Sequence, residues 1–243
     1  FRNSGKGVSA ARNSGAAHAK GKILFFIDDD MWINSETIDW INLFVIEKSN
    51  ISAVYFINWE YPAHLNEKLK YSKVGGYILA TNYNKLWGRM QINTKQPLSG
   101  LYKYDKIGSG SMVIPKSIFN NIGGYNENII FAGEDADLAN KINVSGTPIY
   151  VVFDIMLQHN HQDRLEINNF LKRIYEGAGS EFEAVKAGVI EATPNTNYKG
   201  VRFLFFYFFS FTEKGWIFLH KVLPGSVFLR PFQNKLIGAL GGL

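Results

Sequence analysis

A run of five apolar residues leads directly into three adjacent carboxylates in the stretch ILFFIDDD, residues 23–30. The apolar part does not alternate with polar residues, which is typical of a strand covered on both faces and hence of a parallel sheet. Three neighbouring like charges repel one another, so solvent, a cation or a bound ligand must compensate them. In open α/β sheets the ligand crevice lies outside the carboxyl ends of strands. The stretch therefore predicts a polar site at the edge of such a sheet.

The three aspartates offer oxygen ligands in two directions. Along a strand, Asp28 and Asp30 point to one side and Asp29 to the other. Such carboxylates suit a hard divalent ion such as Mg²⁺ or Mn²⁺, with substrate phosphates completing its shell, although an acidic turn that caps the next helix is an alternative. Trp32 and Ile33 disfavour an EF-hand loop, which needs an Asx residue and Gly there. Trp32 also disfavours a phosphatase of the haloacid dehalogenase type, which has Thr or Val.

A second acidic cluster occurs in GEDADL, where Glu134, Asp135 and Asp137 fall in the first turn of a predicted helix. Acids at this end of a helix complement its dipole by about 0.3–1 kcal/mol, which is a purely structural explanation. Three acids after a glycine in an otherwise apolar stretch exceed what that explanation requires. A carboxylate held there stays ionised at neutral pH and suits a base that takes a proton from an alcohol.

Helical and strand-like patterns alternate along the chain, which predicts an α/β, doubly wound architecture. Residues 58–108 lack either pattern and are predicted to form long loops over one face of the sheet. The patterns predict helices over 8–20, after Asn34 or Ser35, over 116–121 and over 133–146, and strands over 22–27, 52–57, 111–115 and 148–153.

The segments GVSAARNSGAAHAKGKILFFIDDD and GSGSMVIPKSIFNNIGGYNENIIFAGEDADL together resemble glycosyltransferase family 2, the inverting enzymes of the GT-A fold. The resemblance extends from about Asn3 to the predicted helix near Gly179. It implies a GT-A-like (Rossmann-like), mostly parallel sheet flanked by helices. The family's N-terminal part, which holds the nucleobase, has no counterpart before Phe1. The resemblance therefore implies an N-terminally truncated domain that is poorly active by itself.

The resemblance also assigns roles to individual residues. Asp28, with Asp29 beside it, would contact the ribose or sugar of a nucleotide-sugar donor. Arg12 would help to hold the nucleotide side of that donor, with a surface position on the helix as the alternative. Asp135 would be the general base that deprotonates the acceptor hydroxyl, and Glu134 would orient the acceptor or the base. One carboxylate base opposite the leaving group gives a single displacement with inversion.

The metal ligands implied by the resemblance come from two distant segments. Asp30 would bind Mn²⁺ or Mg²⁺ bridging the donor's diphosphate, and His159, in LQHNHQD, would be a further ligand. His159 and His161 alternate along a strand-like segment, so both can face the crevice. Imidazole suits Mn²⁺ better than Mg²⁺. A strand-end histidine hydrogen-bonded to the backbone is the alternative.

The implied function is metal-dependent transfer of a sugar from a nucleotide-sugar donor, expected to be UDP-linked, to a hydroxyl of a glycan or lipid-linked acceptor. One alternative is a catalytically inactive relative that only binds, which the absent nucleobase part favours. A phosphatase-like hydrolase is the other. The residues after 198 carry the whole net charge of +5, and residues 1–198 are neutral overall. This distribution argues against nucleic acid as a partner. The chain has no cysteine, which excludes disulfides and thiolate metal sites.

The chain divides into a partial catalytic domain (1–163), a helical connector (164–197) and an aromatic, basic tail (198–243). The tail's uncharged run at 203–212 is well short of the roughly 20 residues needed to span a bilayer. Aromatic residues flanked by Lys and Arg suit an in-plane segment on an anionic membrane surface, with a buried core helix or a true span as alternatives. We therefore expect a cytoplasmic protein, peripheral to the inner face of the cell membrane.

Overall fold

The computed structural model describes residues 5–89, 99–129 and 133–161, with single positions between 165 and 188. The predicted tail (198–243) and most of the predicted connector (164–197) lie outside the described residues, so both remain predictions. Among the helices of the described residues, none combines the length and the apolar character needed to cross a bilayer.

The described residues form a mixed α/β structure in which helices flank a central sheet. The strands are β1 (Ile23–Ile27), β2 (Met31–Trp32), β3 (Val54–Glu60), β4 (Leu101–Tyr104), β5 (Ser111–Pro115) and β6 (Ile149–His159). The helices are α1 (Gly7–His18), α2 (Ser35–Trp40), α3 (Ala63–Tyr71), α4 (Lys73–Ala80), α5 (Leu86–Arg89), α6 (Lys116–Asn121) and α7 (Glu134–Val144). A π-helical turn, Ile41–Glu47, continues α2. Most of the predicted elements are confirmed within a few residues.

The strands are arranged in the order β1-β5-β3-β6-β2, and β4 also pairs with β6. Only β3 and β6 are parallel, whereas the pairs β1–β5, β3–β5, β2–β6 and β4–β6 are antiparallel. The predicted α/β class is therefore confirmed, but the predicted mostly parallel sheet is wrong. An unbroken apolar run does not report the direction of the neighbouring strands. In β1 it does not report full burial either, because most of its residues are half-buried.

The core lies on the two central strands and on the helices that cover them. Every residue of β5 is buried, as is every residue of β3 except the last. Leu138 and Ile142, one turn apart on α7, are fully buried in the same apolar cluster. This packing fixes the helix that begins with the Glu-Asp sequence, and so places its first turn beside the carboxyl end of β1.

The region predicted as long loops, 58–108, is helical over half of its described part, and that prediction is wrong. It contains α3, α4 and α5 as well as β4. Leu65 and Leu69 on α3 and Val74 and Ile78 on α4 are almost completely buried at helical spacing. A Gly-Gly pair inside α4, between Val74 and Ile78, hides the pattern, because glycine usually ends a helix.

The close packing of α3 and α4 depends on Gly75. A Cβ atom at this position would overlap the backbone carbonyl of Leu69, whereas one at Gly15 on α1 would meet nothing within 4 Å. We expect Gly75→Ala to lower the free energy of unfolding by about 1–3 kcal/mol, since α4 must move away from α3. Gly15→Ala, the matched control, should raise it by about 0.4–1 kcal/mol. Urea denaturation measures both changes, and stabilisation by Gly75→Ala would contradict this packing.

Strand β6 is longer than predicted and connects two parts of the molecule. The predicted strand stops near Phe153, but β6 continues to His159 after an irregularity in its pairing with β3. Its first half pairs with β4, and its last two residues pair with β2, where Met31 lies opposite His159. The extension is what carries the histidines to the acidic turn after β1.

Candidate active site

The three aspartates lie in a turn and not on a strand, which corrects the geometry assumed for them. Strand β1 ends at Ile27, and the Met31 N–H donates a hydrogen bond of 3.1 Å to the Asp28 carbonyl. Alternation along a strand therefore does not apply. Asp28 and Asp30 contact different partners, whereas the Asp29 side chain is exposed.

Arg12 on α1 joins the acidic turn to the start of α7. Its guanidinium donates to Asp28 Oδ1 at 2.9 Å and to Glu134 Oε1 at 3.2 Å, and lies 3.9 Å from Asp135 Oδ1. The same group sits over the Tyr125 ring, 5.4 Å from its centroid. Burial alone would lower the pKa of Arg12, but electrostatic interactions with Tyr125, Asp135 and Asp28 and the hydrogen bond to Asp28 raise it. Arg12 is therefore a permanent cation between two carboxylate groups.

The two acids at the start of α7 have different environments. The Glu134 side chain is 13% exposed and paired with Arg12, whereas the Asp135 side chain is 37% exposed. Ser109 donates to Asp135 twice, from its hydroxyl to Oδ1 and from its backbone N–H to Oδ2 at 3.3 Å. Partial burial and the Glu134 carboxylate raise the pKa of Asp135 to about 6, against the opposing effects of Ser109 and Arg12. Asp135 is thus the acid whose properties suit a base near neutral pH.

The third acid of the cluster belongs to the helix. Asp137 is buried and pairs with Lys141 one turn later, with Oδ2 2.9 Å from Nζ. Lys141 also donates to the carbonyl of Gly124 at 3.1 Å. This pair ties the first turn of α7 to the turn before it and has a structural role.

A second cluster joins Asp30 to two histidines from the end of β6. Asp30 Oδ1 lies 3.2 Å from His159 Nε2, and its Oδ2 lies 3.0 Å from His161 Nε2. The pairing of Met31 with His159 sets this position, and the Asn160 N–H reinforces it with a 2.8 Å hydrogen bond to the Asp30 carbonyl. The predicted association of Asp30 with His159 is thus present, and His161 joins it equally.

This cluster fits a divalent cation. One potential ligand atom from each of Asp30, His159 and His161 lies within 4.8 Å of the other two, and both histidines are buried. Trp59 and Tyr61 present their rings roughly perpendicular to the His159 ring and fix its orientation. Burial would raise the pKa of Asp30, but the hydrogen bonds and charges of the two histidines lower it well below its usual range. One carboxylate with two imidazoles suits Mn²⁺ better than Mg²⁺.

Comparison with known proteins agrees with the resemblance seen in the sequence. A family model described as "Glycosyltransferase like family 2" matches residues 3–187. The chain belongs to this glycosyltransferase family. No curated protein matched it. Among solved structures it is similar to GalNAc-T7 with UDP, GalNAc and Mn²⁺, at 15% identity and a TM-score of 0.46, over 88% of this chain and 42% of that one. The chain thus spans less than half of that protein's length.

The structure of this family 2 domain groups the predicted site residues in two sets. Arg12, Asp28, Glu134 and Asp135 form one set, and Asp30 and His159 belong to the other, while Asp29 contacts neither. Their chemical roles remain predictions.

No sequence pattern indicated Ser109 or Tyr125 as part of the site of this family member. Both lie within the second segment that carries the resemblance, but neither residue type marks a site by itself. A serine in GSGSM is ordinary turn chemistry, and a tyrosine after two glycines is an ordinary core residue. Only their contacts with Asp135 and Arg12 reveal them.

Proposed function

We propose that this chain transfers a sugar from a nucleotide-sugar donor to an acceptor hydroxyl, in a reaction that depends on a divalent cation and inverts the anomeric carbon. The observation that carries the proposal is the bridge made by Arg12, which bonds to both Asp28 and Glu134. The acidic turn expected to hold the donor and the helix start expected to hold the base are thereby parts of one site. Membership of the family over residues 3–187 supports the same reaction class.

On the donor side, Asp28 and Asp29 bind the ribose or sugar, and Arg12 helps to hold the nucleotide side of the donor. Asp28 is half-exposed, and its Oδ1 already accepts from Arg12, so donor hydroxyls reach the remaining lone pairs. A Cβ atom on Gly110 would lie 2.5 Å from Asp28 Oδ2, so the absence of a side chain at Gly110 leaves room for this carboxylate. Asp30 and His159, with His161, would hold Mn²⁺ or Mg²⁺, which when bound neutralises charge on a diphosphate leaving group.

On the acceptor side, Asp135 takes the proton of the attacking hydroxyl. Its exposure lets an acceptor approach, and a pKa of about 6 leaves it mostly ionised at neutral pH yet basic enough to accept a proton. Glu134 is held by Arg12 and orients the base or the acceptor. The chain's own residues therefore supply one base and need no covalent nucleophile, which gives a single displacement with inversion.

For the partners, we propose a UDP-linked donor and a glycan or lipid-linked acceptor. The aromatic, basic tail at 198–243 favours an acceptor at a membrane surface and a location on the cytoplasmic face of the cell membrane. Binding of the chain to anionic vesicles, lost when the tail is removed, would support this location.

Binding and turnover together test the proposed function. We expect UDP, titrated into the chain by calorimetry, to bind at least about 10-fold more tightly with Mn²⁺ than with EDTA. We also expect release of UDP from at least one UDP-sugar when an acceptor is added. Metal-dependent binding without turnover would instead favour the inactive relative, and release of phosphate from a simple phosphomonoester would favour the hydrolase. If UDP and then other nucleotides fail to bind and no sugar is transferred, the inactive relative is favoured.

A further inference from the structure

We propose that Ser109 is a positioning residue for Asp135, because the two donors of this one residue hold the two oxygens of that carboxylate. The Ser109 hydroxyl donates to Oδ1, and its backbone N–H donates to Oδ2 at 3.3 Å. Two bonds to different oxygens fix the plane of the carboxylate, which a single bond would leave free to rotate. The inference rests on the proposed role of Asp135 as the base.

The two hydrogen bonds from Ser109 reach Asp135 from the protein interior and leave the other side of the carboxylate open. Ser109 is completely buried, whereas the Asp135 side chain is 37% exposed. Each carboxylate oxygen has two lone-pair sites, so one on each oxygen remains after Ser109 has donated. Those remaining sites are available to an acceptor hydroxyl that arrives from solvent. Ser109 therefore determines which lone pairs of the base are presented to the acceptor.

The two hydrogen bonds from Ser109 also oppose burial and the Glu134 charge, both of which raise the pKa of Asp135. Glu134 disfavours ionisation of Asp135, while Arg12 and the hydrogen bonds from Ser109 favour it. Tyr125 lies beneath Arg12, and burial followed by the charge of Asp135 raises the pKa of its phenol, so it remains neutral. Arg12 is shared with Asp28 and Glu134. Ser109 donates to Asp135 from both its hydroxyl and its backbone N–H, while the same hydroxyl also lies within hydrogen-bond reach of the Tyr125 phenol, and the two bonds to Asp135 favour the ionised base.

The test is the titration of the Asp135 carboxyl in the whole chain. The carboxyl carbon is followed by ¹³C NMR against pH, and its signal is assigned by its absence from Asp135→Asn. We expect the wild-type midpoint near pH 6. In Ser109→Ala we expect the midpoint to rise by about one pH unit, because a hydrogen bond to the charged form is lost. If turnover is measurable, the acid limb of its pH profile should move in the same direction.

Ser111 provides the matched control. It is also a buried serine, two residues away, but its hydroxyl donates to the Ile57 carbonyl at 2.9 Å. Ser111→Ala should therefore lower stability without moving the Asp135 midpoint. If Ser109→Ala does not fold, Ser109→Cys takes its place, because a thiol fills a similar space and donates only weakly. In that variant too, the midpoint should rise.

The outcomes separate this inference from the proposed function. An unchanged midpoint in the folded Ser109 variant, or an equal rise in Ser111→Ala, overturns the positioning role. A raised midpoint in Ser109→Ala alone supports it, even in a chain that transfers no sugar from any donor. In the last case the proposed function fails, whereas the inference about Ser109 and Asp135 stands as a statement about the carboxylate.

Discussion

Asp135→Asn should reduce sugar transfer by about 10²- to 10⁴-fold and leave donor binding nearly unchanged. Asparagine has the same shape, and its single amide oxygen can still accept one of the two hydrogen bonds from Ser109, but its amide cannot take a proton. Asp135 is the half-exposed acid of the pair, while Glu134 is engaged by Arg12. The loss should therefore appear in kcat, with the affinity for UDP retained.

Asp39→Asn on α2 is the matched control, since it removes one exposed carboxylate that forms no ion pair with either cluster among the described residues. Steady-state transfer rates and UDP affinities of both variants, measured over pH 5–8, make the comparison. Wild-type activity should rise with pH through about 6, as Asp135 loses its proton, and then level off. If Asp135→Asn transfers sugar at the wild-type rate while Glu134→Gln does not, the base is Glu134.

The same substitution has a predictable effect on stability. The pKa of Asp135 in the folded chain is about 6, above the value near 3.9 expected in the unfolded chain. Its contribution to stability is therefore complete below about pH 3.9 and is lost as the pH rises through 6. The amide introduced by Asp135→Asn does not ionise, so the stability of the variant relative to wild type should be greater at pH 7 than at pH 4. Urea unfolding at both pH values measures this difference.

The residues of the site could be predicted from the sequence because their chemistry is local. The acidic turn follows a strand directly, and the two acids at the start of α7 follow a glycine with positive φ. Such patterns do not depend on the topology of the sheet. Asp28, Asp30 and Asp135 could therefore be selected as candidates although the strand directions were predicted wrongly, and their roles remain predictions.

The contacts between those residues could not be predicted, because they depend on pairings between distant segments. The turn separates Asp28 from Asp30, so one carboxylate faces Arg12 and the other faces the histidines. Nothing in the apolar run indicates where it stops being a strand. His161 reaches Asp30 only because β6 continues past the predicted end and pairs with β2.

The missed helices have a similar explanation. The apolar faces of α3 and α4 are regular, but the two glycines in the first turn of α4 resemble a loop in the sequence. In the structure, Gly75 is there because the backbone of α3 passes too close for a side chain. In the sequence, a glycine required for close packing looks the same as a glycine required for a turn, and only the tertiary contact distinguishes them.

The second large effect is expected for Asp30→Ala, which should weaken Mn²⁺ binding by about 100-fold or more and abolish the dependence of UDP binding on Mn²⁺. Asp30 is the one carboxylate of its cluster and faces both histidines, at 3.2 Å and 3.0 Å. Without it, two neutral imidazoles remain, and they supply neither negative charge nor the oxygen ligand that Mn²⁺ prefers.

Electron paramagnetic resonance of free Mn²⁺ measures this loss directly and needs no substrate. His161→Ala should also weaken Mn²⁺ binding, because it removes a third potential ligand, the imidazole that faces Oδ2 of Asp30. Asp39→Ala should leave Mn²⁺ binding unchanged. If Asp30→Ala binds Mn²⁺ as tightly as wild type, the cation is held elsewhere. Asp30, His159 and His161 then form only a hydrogen-bonded cluster. Full binding by His161→Ala with loss in Asp30→Ala would reduce the site to Asp30 and His159, the two ligands predicted from the sequence.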